Sequence, residues 1–579
     1  MRMTNVKTTA KPGDSFSAQF SRRDFIKMGA TAGAGTYFFL KGLGPDGSFF
    51  NSALASSASS IGDLDLEDTS PIAKFSGPFT NPQFNGDDFA RAHGALWDIE
   101  GYIRGKGGRP TSITQQTSVV VIGGGVSGLL STYFLRDHSP VLLEQAARFG
   151  GNSKGEKFGN TAFSIGAAYI DQPRPGGDVE KLFRELGIDK SYRAENPSDA
   201  MVDLKGAGLK KIWRGETDHK AKASFLKVEA ELKRINNEEY PDIPWTSSSE
   251  MALDRFKALD RQTAEQWLKG TFPDLHPHVE EYFQLYCWSS LGGSIDEISA
   301  VQFLNFATAE CDGVIAFPGG NSFVCESIYR TLAKTLPSEN LQAMAMVLEV
   351  KNVADGVEVL YENSAGYLQI LKSKYAIVAT PKYVAGKIVK DPPAAQSSTW
   401  AGLDYRAYVV ANILLKKKIV DPSFDILCME GTPPPSPRFS TANTRPWSDV
   451  VCADWSTESR SDSSVLTIYR PYPFDGARNI LYSQSSFAKI KADILTELPS
   501  LLKDLGESPD DIADIRLTRW GHSVPLARPG MASDGTLDLI RAPHVHIAFA
   551  NQDCFMNPAF ESCFSSAKEA SAMIRAQLT

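Results

Sequence analysis

The chain has 579 residues, 42% hydrophobic and 22% charged, enough for two or three domains with sizeable cores, which excludes fibrous, disordered and membrane-embedded classes. Its formal charge is -8; the first 55 residues hold seven basic and three acidic side chains, so the remainder carries 53 basic and 65 acidic groups, a net -12. So acidic a surface argues against a nucleic-acid partner and suits either cationic small molecules or simple solubility.

Ser21-Arg22-Arg23-Asp24-Phe25-Ile26-Lys27 is a twin-arginine element, followed by an apolar stretch from Met28 to Leu40 and small residues at Ala53-Leu54-Ala55. The expectation is an export signal over residues 1–55, recognised by the twin-arginine translocase, cleaved near Ala55 or Ala58, and leading to a periplasmic or otherwise exported location. The stretch is too short, too glycine-rich and too soon interrupted by Lys41 to span a bilayer. No later segment has 18 uninterrupted apolar residues, so no stable membrane span is expected. Residues 56–116 read as an extension rich in Ser, Gly, Pro and Asp, with one short helix in DDFARAHGALWDIEGYIRGK.

VVVIGGGVSGLL, from Val119 to Leu130, and VLLE, ending at Glu144, have the spacing of a strand, tight turn, helix and second strand. That unit binds an ADP-containing cofactor. Gly123 makes the turn, Gly125 lets backbone N–H groups approach a pyrophosphate, and Gly128 lets the helix lie close on the strand. Val126 and Ser127 open the helix, whose N-terminus faces the phosphate charge. Glu144, 21 residues beyond Gly123 and followed by Gln145, is placed to accept hydrogen bonds from ribose hydroxyls.

From 173 to 315 helical periodicity dominates; in ASFLKVEAELKRI, Phe225, Val228, Leu232 and Ile235 share one side. PGGNSFVCESIYRTLAKTL predicts a glycine turn at 318–321 and then a helix. VLEVKNVADGVEVLYEN predicts a hairpin turning at Asp355-Gly356, and YAIVATP a buried strand ended by Pro381. Residues 391–517 mix strands such as AYVVANILL with Pro-rich loops such as GTPPPSPRF. A strand, VHIAFAN, ends near Asn551, and a helix closes the chain from about Glu561 to Gln577. The seven cysteines lack a CxxC or CxxCH arrangement, which excludes a c-type haem attachment and a zinc framework and leaves packing as their role. His544 and His546 alternate on one face of a strand, a two-residue arrangement with no third metal ligand in view, so no metal site is expected there.

After Glu144 the chain continues QAARFGGNS, with Arg148 four and Gly150-Gly151 six and seven residues past the acid. This resembles the extended second-strand motif of the FAD-dependent amine oxidase superfamily. FPGGNSFVCESI, VLEVKNVADGVEV, YAIVATP, RWGHSVPLARPG and IAFANQDCFMNPAFESCFSSAKEA are similar, in order, to that superfamily's later segments. Within it, the twin-arginine signal, AHGALW, YCWSSLGGSIDEISA, FPGGN, YVVANILL and RWGH look most like exported spermidine dehydrogenases. The resemblance implies a mixed α/β (α+β) fold. A two-dinucleotide-binding-type FAD domain, 117–172, 316–390 and 518–579, would be interleaved with a substrate domain of mixed sheet and helices, 173–315 and 391–517.

The resemblance places Asn152, the backbone of Val347, Asn551, Gln552, Phe560 and Glu561 with the glycines, Glu144, Gln145 and Arg148 as FAD contacts. It also implies a small-molecule amine substrate, with polyamines such as spermidine in that class. Hydride transfer to FAD would be followed by imine hydrolysis, and the electrons would leave to oxygen or an external acceptor. The chain departs from the pattern where many relatives have Arg after the glycine pair and a Gly and an acid at 551–552. Val410 stands where many hold a lysine beside the flavin, Lys416 to Lys418 coming too late. The region of Ser523 lacks the cysteine that attaches FAD in monoamine oxidases, so noncovalent FAD is expected.

His522, Tyr169, Tyr408 and Glu561 are the candidate catalytic residues. Glu310, Asp312 and Asp553 are further carboxylates that a cationic amine would seek, each open to a capping or solvated reading. Related spermidine dehydrogenases carry a b-type haem, which His93 would ligate; a lone histidine in an extension reads more simply as structural. Two alternatives remain open: a desaturase or isomerase of an apolar substrate, and a flavin-carrying binding or assembly protein without turnover.

Overall fold

The structure, a computed structural model, describes residues 69–73, 84–420, 423–431, 445–457, 463–483 and 485–578. The twin-arginine element, the cleavage region, much of the extension and most of the GTPPPSPRF loop lie outside the described residues. Among the described residues no helix is long and apolar enough to cross a membrane.

Val119 to Ile122 are buried throughout, the continuous apolar run that a parallel strand covered on both faces requires. Their strand, Gln115–Ile122, pairs in parallel with Val141–Leu143 on one side and with Leu368–Val378, from Leu371 onward, on the other. Leu341–Gln342 and Ile547–Phe549 extend this parallel sheet outward. Successive residues face opposite layers. Val119 and Val121 pack with Leu129, Leu130, Ile328, Phe564 and Ala567, from the helices Val126–Phe134, Ser322–Thr335 and Phe560–Leu578. Val120 and Ile122 join Val347, Val359, Trp400 and Ile540 on the other face.

Leu368–Val378 changes partners along its length. Its first half pairs antiparallel with Gly356–Glu362, which in turn pairs with Met346–Val353. The turn of this hairpin is Ala354-Asp355, one residue earlier than expected. Val353 pairs with Gly356 itself, whose φ of +143° and close approach to the Ser373 carbonyl leave no room for a Cβ.

A second, eight-stranded sheet runs in the order Gly208–Lys210, Met201–Leu204, Asp425–Met429, Asp449–Cys452, Ser464–Tyr472, Tyr405–Leu415, Ile512–Pro525, Asn85–Gly86. Tyr405–Leu415 is buried at every position and paired on both edges. The helix His219–Glu238 buries Phe225, Val228, Leu232 and Ile235, as their spacing predicts. They share a core with Leu253–Asp260, Ala264–Thr271, Pro277–Tyr286 and Ala300–Ala309.

Three expectations need correction. Residues 173–315 also contain short strands at Arg193–Glu195 and Met201–Leu204, whose stability comes from sheet partners distant in sequence, and at Gly208–Lys210, which forms a hairpin with Met201–Leu204. The extension forms two helices, Phe89–Leu96 and Ile99–Gly105, because Asp98 accepts the Gly101 N–H and caps a new start. His544 and His546 flank a tight turn closed by reciprocal backbone bonds between His544 and Ile547, with Val545 at φ +55°; the strand begins only at Ile547. All seven cysteines are free thiols.

Candidate functional site

The glycine cradle is built from backbone. Gly123 has φ +102°, and a Cβ on Gly128 would stand 1.7 Å from the Gly123 carbonyl oxygen, so the helix approaches the turn as only glycine allows. The Gly150 N–H donates to the Gly124 carbonyl at 2.8 Å, which brings Gly150 and Gly151 against Gly125. Gly125 starts the helix without a side-chain cap, leaving the first-turn N–H groups of Val126, Ser127 and Gly128 for an anion. The Ser127 hydroxyl itself turns away to the Cys563 carbonyl.

The Glu144 carboxylate accepts the Gly124 N–H at 2.6 Å and the Ala146 N–H at 2.7 Å, which fixes it at the edge of the cradle with lone pairs to spare. Bare glycine backbone, open helix N-terminus and fixed acid fit an ADP-containing cofactor. Val347 lies at a bulge in its strand and the Gln145 side chain is exposed; the Gln145 carbonyl accepts from Arg91 of the first extension helix. Arg148 donates to the carbonyls of Ser70, Pro71 and Gly155, tying the strand Ile72–Ala73 beside Gly155–Phe158. Lys154 sits among Glu144, Arg148 and Asp87, its ammonium held below the usual lysine range by burial.

A second convergence lies at Ser523, whose carbonyl accepts from Gln552 at 2.9 Å and Asn152 at 3.4 Å. Asn551 caps the short turn that follows it, accepting the Asp553 N–H. Asp553 is fully buried and accepts from the Lys382 N–H and the Tyr405 hydroxyl; burial raises its pKa. Phe560, also buried, opens the closing helix. Next to Ser523, His522 stacks on Tyr383 at 4.0 Å. Burial, then the charges of Arg478 and His93, push its pKa down to about 3, so the ring is neutral at pH 7. His93 stacks on Trp97 at 4.8 Å, with Phe89 and Tyr482 against it: the surroundings of an aromatic cluster.

The third feature is a group of carboxylates. The short strands Ile170–Asp171 and Arg193–Glu195 flank Val314–Ala316 and bring Asp171 and Glu195 to either side of Val314. Tyr169 donates to Glu310 at 2.9 Å, and Glu561 accepts the Asp171 N–H at 3.1 Å. Asp425 and Asp449 join from the second sheet. Burial is the largest cause in every case, followed by like charge in all but Asp449, where hydrogen bonds from Ser289 and Ser448 oppose it. Glu310 is pushed up to about 8 with Asp171 beside it, and Glu195 to about 8 with Asp199 beside it. Asp171, Asp425, Asp449 and Glu561 are raised as well. The nearby Arg193 is engaged with Trp455, through both its ring and its carbonyl. A cavity lined by Ser164, Ala168, Phe317, Gly319, Gly320 and Phe424 adjoins Tyr169, whose ring meets Phe424 edge-on at 6.3 Å.

Of the sequence candidates, Tyr169, Glu310 and Glu561 thus come together, while Asp312 stays exposed near Asp171. Tyr408 stands apart: its hydroxyl donates to the carbonyls of Trp288 and Ser289 and bolts the long strand to that turn. Val410 is buried between Tyr469 and Thr518 on neighbouring strands. Lys154, Asp171, Glu195, Asp425 and Asp449 were not foreseen. An acid opening an otherwise apolar strand, as in Asp425–Met429 and Asp449–Cys452, was the available signal.

Residues 126–575 match the family model for flavin containing amine oxidoreductases. The chain is similar to the oxidoreductase PigB of Serratia sp. (strain ATCC 39006), 22% identical over 79% of this chain and 75% of that protein. It is also similar to a flavin-containing amine oxidase of Oncorhynchus mykiss, 25% identical over 45% of this chain and 50% of the other. Two solved structures share the fold over 80% of this chain and 99% of their own. They are wild-type putrescine oxidase bound to putrescine, with a TM-score of 0.60 at 17% identity, and the cyclohexylamine oxidase from Brevibacterium oxydans IH-35A, with 0.59 at 17%.

Proposed function

Since the chain belongs to the flavin-containing amine oxidoreductase family and is an FAD-dependent oxidoreductase, we propose that its substrate is a polycationic amine such as spermidine. The observation that carries this reading is the carboxylate group around Asp171, Glu195, Glu310, Asp425, Asp449 and Glu561. Each carboxylate is costly to ionise beside the others, so a ligand bringing several ammonium groups relieves both burial and repulsion. A monoamine relieves only part of it, and an apolar polyene none, which weighs against the desaturase reading. Tyr169, donating to Glu310, holds that carboxylate in place.

FAD, bound noncovalently in the cradle, supplies a two-electron acceptor. The amine leaves as an aldehyde and a shorter amine, with water consumed and the electrons passed to oxygen or an external acceptor. The twin-arginine element supports export to the periplasm; replacing Arg22-Arg23 by Lys-Lys should retain the protein in the cytoplasm.

The test is anaerobic mixing of the purified flavoprotein with spermidine, simple monoamines and amino acids while the flavin spectrum is recorded. Bleaching by spermidine at the lowest concentration supports the proposal. Bleaching only by an apolar polyene, or by nothing, overturns it in favour of the desaturase or the non-catalytic flavoprotein. The same spectrum tests the subsidiary haem reading: a Soret band lost in His93→Ala would support it.

A further inference from the structure

We infer that Asp218, His276 and His278 form a site for a divalent transition-metal ion, with zinc as the fitting occupant. One ligand atom from each residue lies within 4.8 Å of the other two. The site joins the starts of two helices in the helical core. Asp218 caps His219–Glu238, with Oδ1 accepting the N–H groups of Lys220 and Ala221. Its second oxygen is thereby turned toward His276 Nε2, 3.8 Å away. His276 caps Pro277–Tyr286, its Nδ1 accepting the His278 N–H at 3.2 Å.

The second observation concerns His278, whose Nδ1 is buried without a hydrogen-bond partner. A buried ring nitrogen with nothing to bind is an unmet demand that a metal ion would answer, directly or by reorganising the ring. The two imidazoles stand 4.8 Å apart at 79°, edge toward face. Tetrahedral zinc with bonds of about 2.0–2.2 Å needs its ligands about 3.3 Å apart, so side-chain rotations close the site without moving either helix. His276 would shift its ring proton from Nε2 to Nδ1 and give up the long cap bond, a cost that favours a metal with strong imidazole affinity. Two imidazoles and one carboxylate suit zinc and its neighbours rather than calcium or magnesium, which require oxygen ligands. Lys220 is the flanking cation that opposes binding. The fourth position is left for water. Pro277–Tyr286 ends at Tyr286 beside Glu310, so a metal at its start would brace one wall of the carboxylate group.

Zinc titrated into the full, chelator-treated and desalted flavoprotein should bind at one ion per chain in calorimetry and raise the melting temperature. Cobalt(II) should give the visible difference bands of a tetrahedral ion. Asp218→Asn and His276→Ser both retain capping side chains. Each should weaken zinc at least by the roughly 10–100-fold that loss of even an outer-sphere partner costs. His544→Ala/His546→Ala should leave binding unchanged, and millimolar calcium should not compete. Equal zinc affinity in the Asp218 and His276 variants, loss of binding in the His544/His546 variant, or no binding below millimolar zinc would overturn the assignment. Should His276→Ser fail to fold, the flavin content shows it and Asp218→Asn carries the test.

Discussion

In the glycine cradle nearly every demand falls on backbone within thirty residues of chain: a turn at Gly123, a close approach at Gly128, an open helix end at Gly125, an acid at Glu144. The carboxylate group is made the other way, from side chains on segments around 171, 195, 310, 425, 449 and 561 that only the tertiary fold assembles. The first is intolerant of added atoms. The second tolerates isosteric change and responds strongly to protonation. Substitutions that respect or violate this division are therefore the way to test it.

The largest effect is expected at Gly128. Gly128→Ala places a methyl 1.7 Å from the Gly123 carbonyl, and the purified protein should contain background levels of flavin. A variant that retains full flavin would contradict the cradle. Glu144→Gln should come next. It weakens the two charge-assisted hydrogen bonds that fix the acid in the cradle, costing about 1.5–3 kcal/mol, or roughly a ten- to hundredfold rise in the dissociation constant of FAD by titration of the apoprotein.

Glu310→Gln should leave flavin content unchanged and raise KM for spermidine roughly tenfold, kcat moving little. The pH dependence has a definite sign. A carboxyl whose folded pKa is raised from its ordinary range to about 8 holds a proton that the unfolded chain has lost. Stability without substrate should therefore fall as pH rises through that window. Spermidine should raise the melting temperature more at pH 8 than at pH 6, and Glu310→Gln should shrink that difference.

How much of this was legible depended on the distance between cause and effect. The cradle could be read because its physics is local: glycines at fixed offsets, an apolar run, and an acid at the end of the next strand. The helix His219–Glu238 and the strand Tyr405–Leu415 were legible for the same reason, through 3.6-residue spacing in one and, in the other, an apolar, β-branched run interrupted within AYVVANILL only by Asn412. The short strands at 193–195 and 201–204 were not, because their stability lies in partners more than a hundred residues away. Glu310 and Glu561 were candidates among many acids; nothing local distinguished them from solvated ones. Asp218, His276 and His278 escaped notice because the fold brings two helix starts together across some sixty residues of sequence.

Two smaller effects sharpen the comparison from side chains outside the carboxylate group. Tyr408→Phe should cost about 1–3 kcal/mol in denaturant unfolding, since it removes the donor from two buried carbonyls, and leave KM for spermidine unaltered. A changed KM would return Tyr408 to the candidate catalytic residues. His522→Asn should be the mildest. A ring held neutral with a pKa near 3 does not titrate near neutrality, so activity should drop less than tenfold and the pH profile between 6 and 9 should keep its shape.

The most direct test is an anaerobic titration of the wild-type flavoprotein with spermidine at pH 6 and at pH 8, following the loss of oxidised-flavin absorbance. The carboxylate group predicts complete bleaching at both, with a half-point several-fold lower at pH 8, where more of its members are ionised and the polyamine is still cationic. A half-point that does not move with pH, or a flavin that no amine bleaches, would contradict the account.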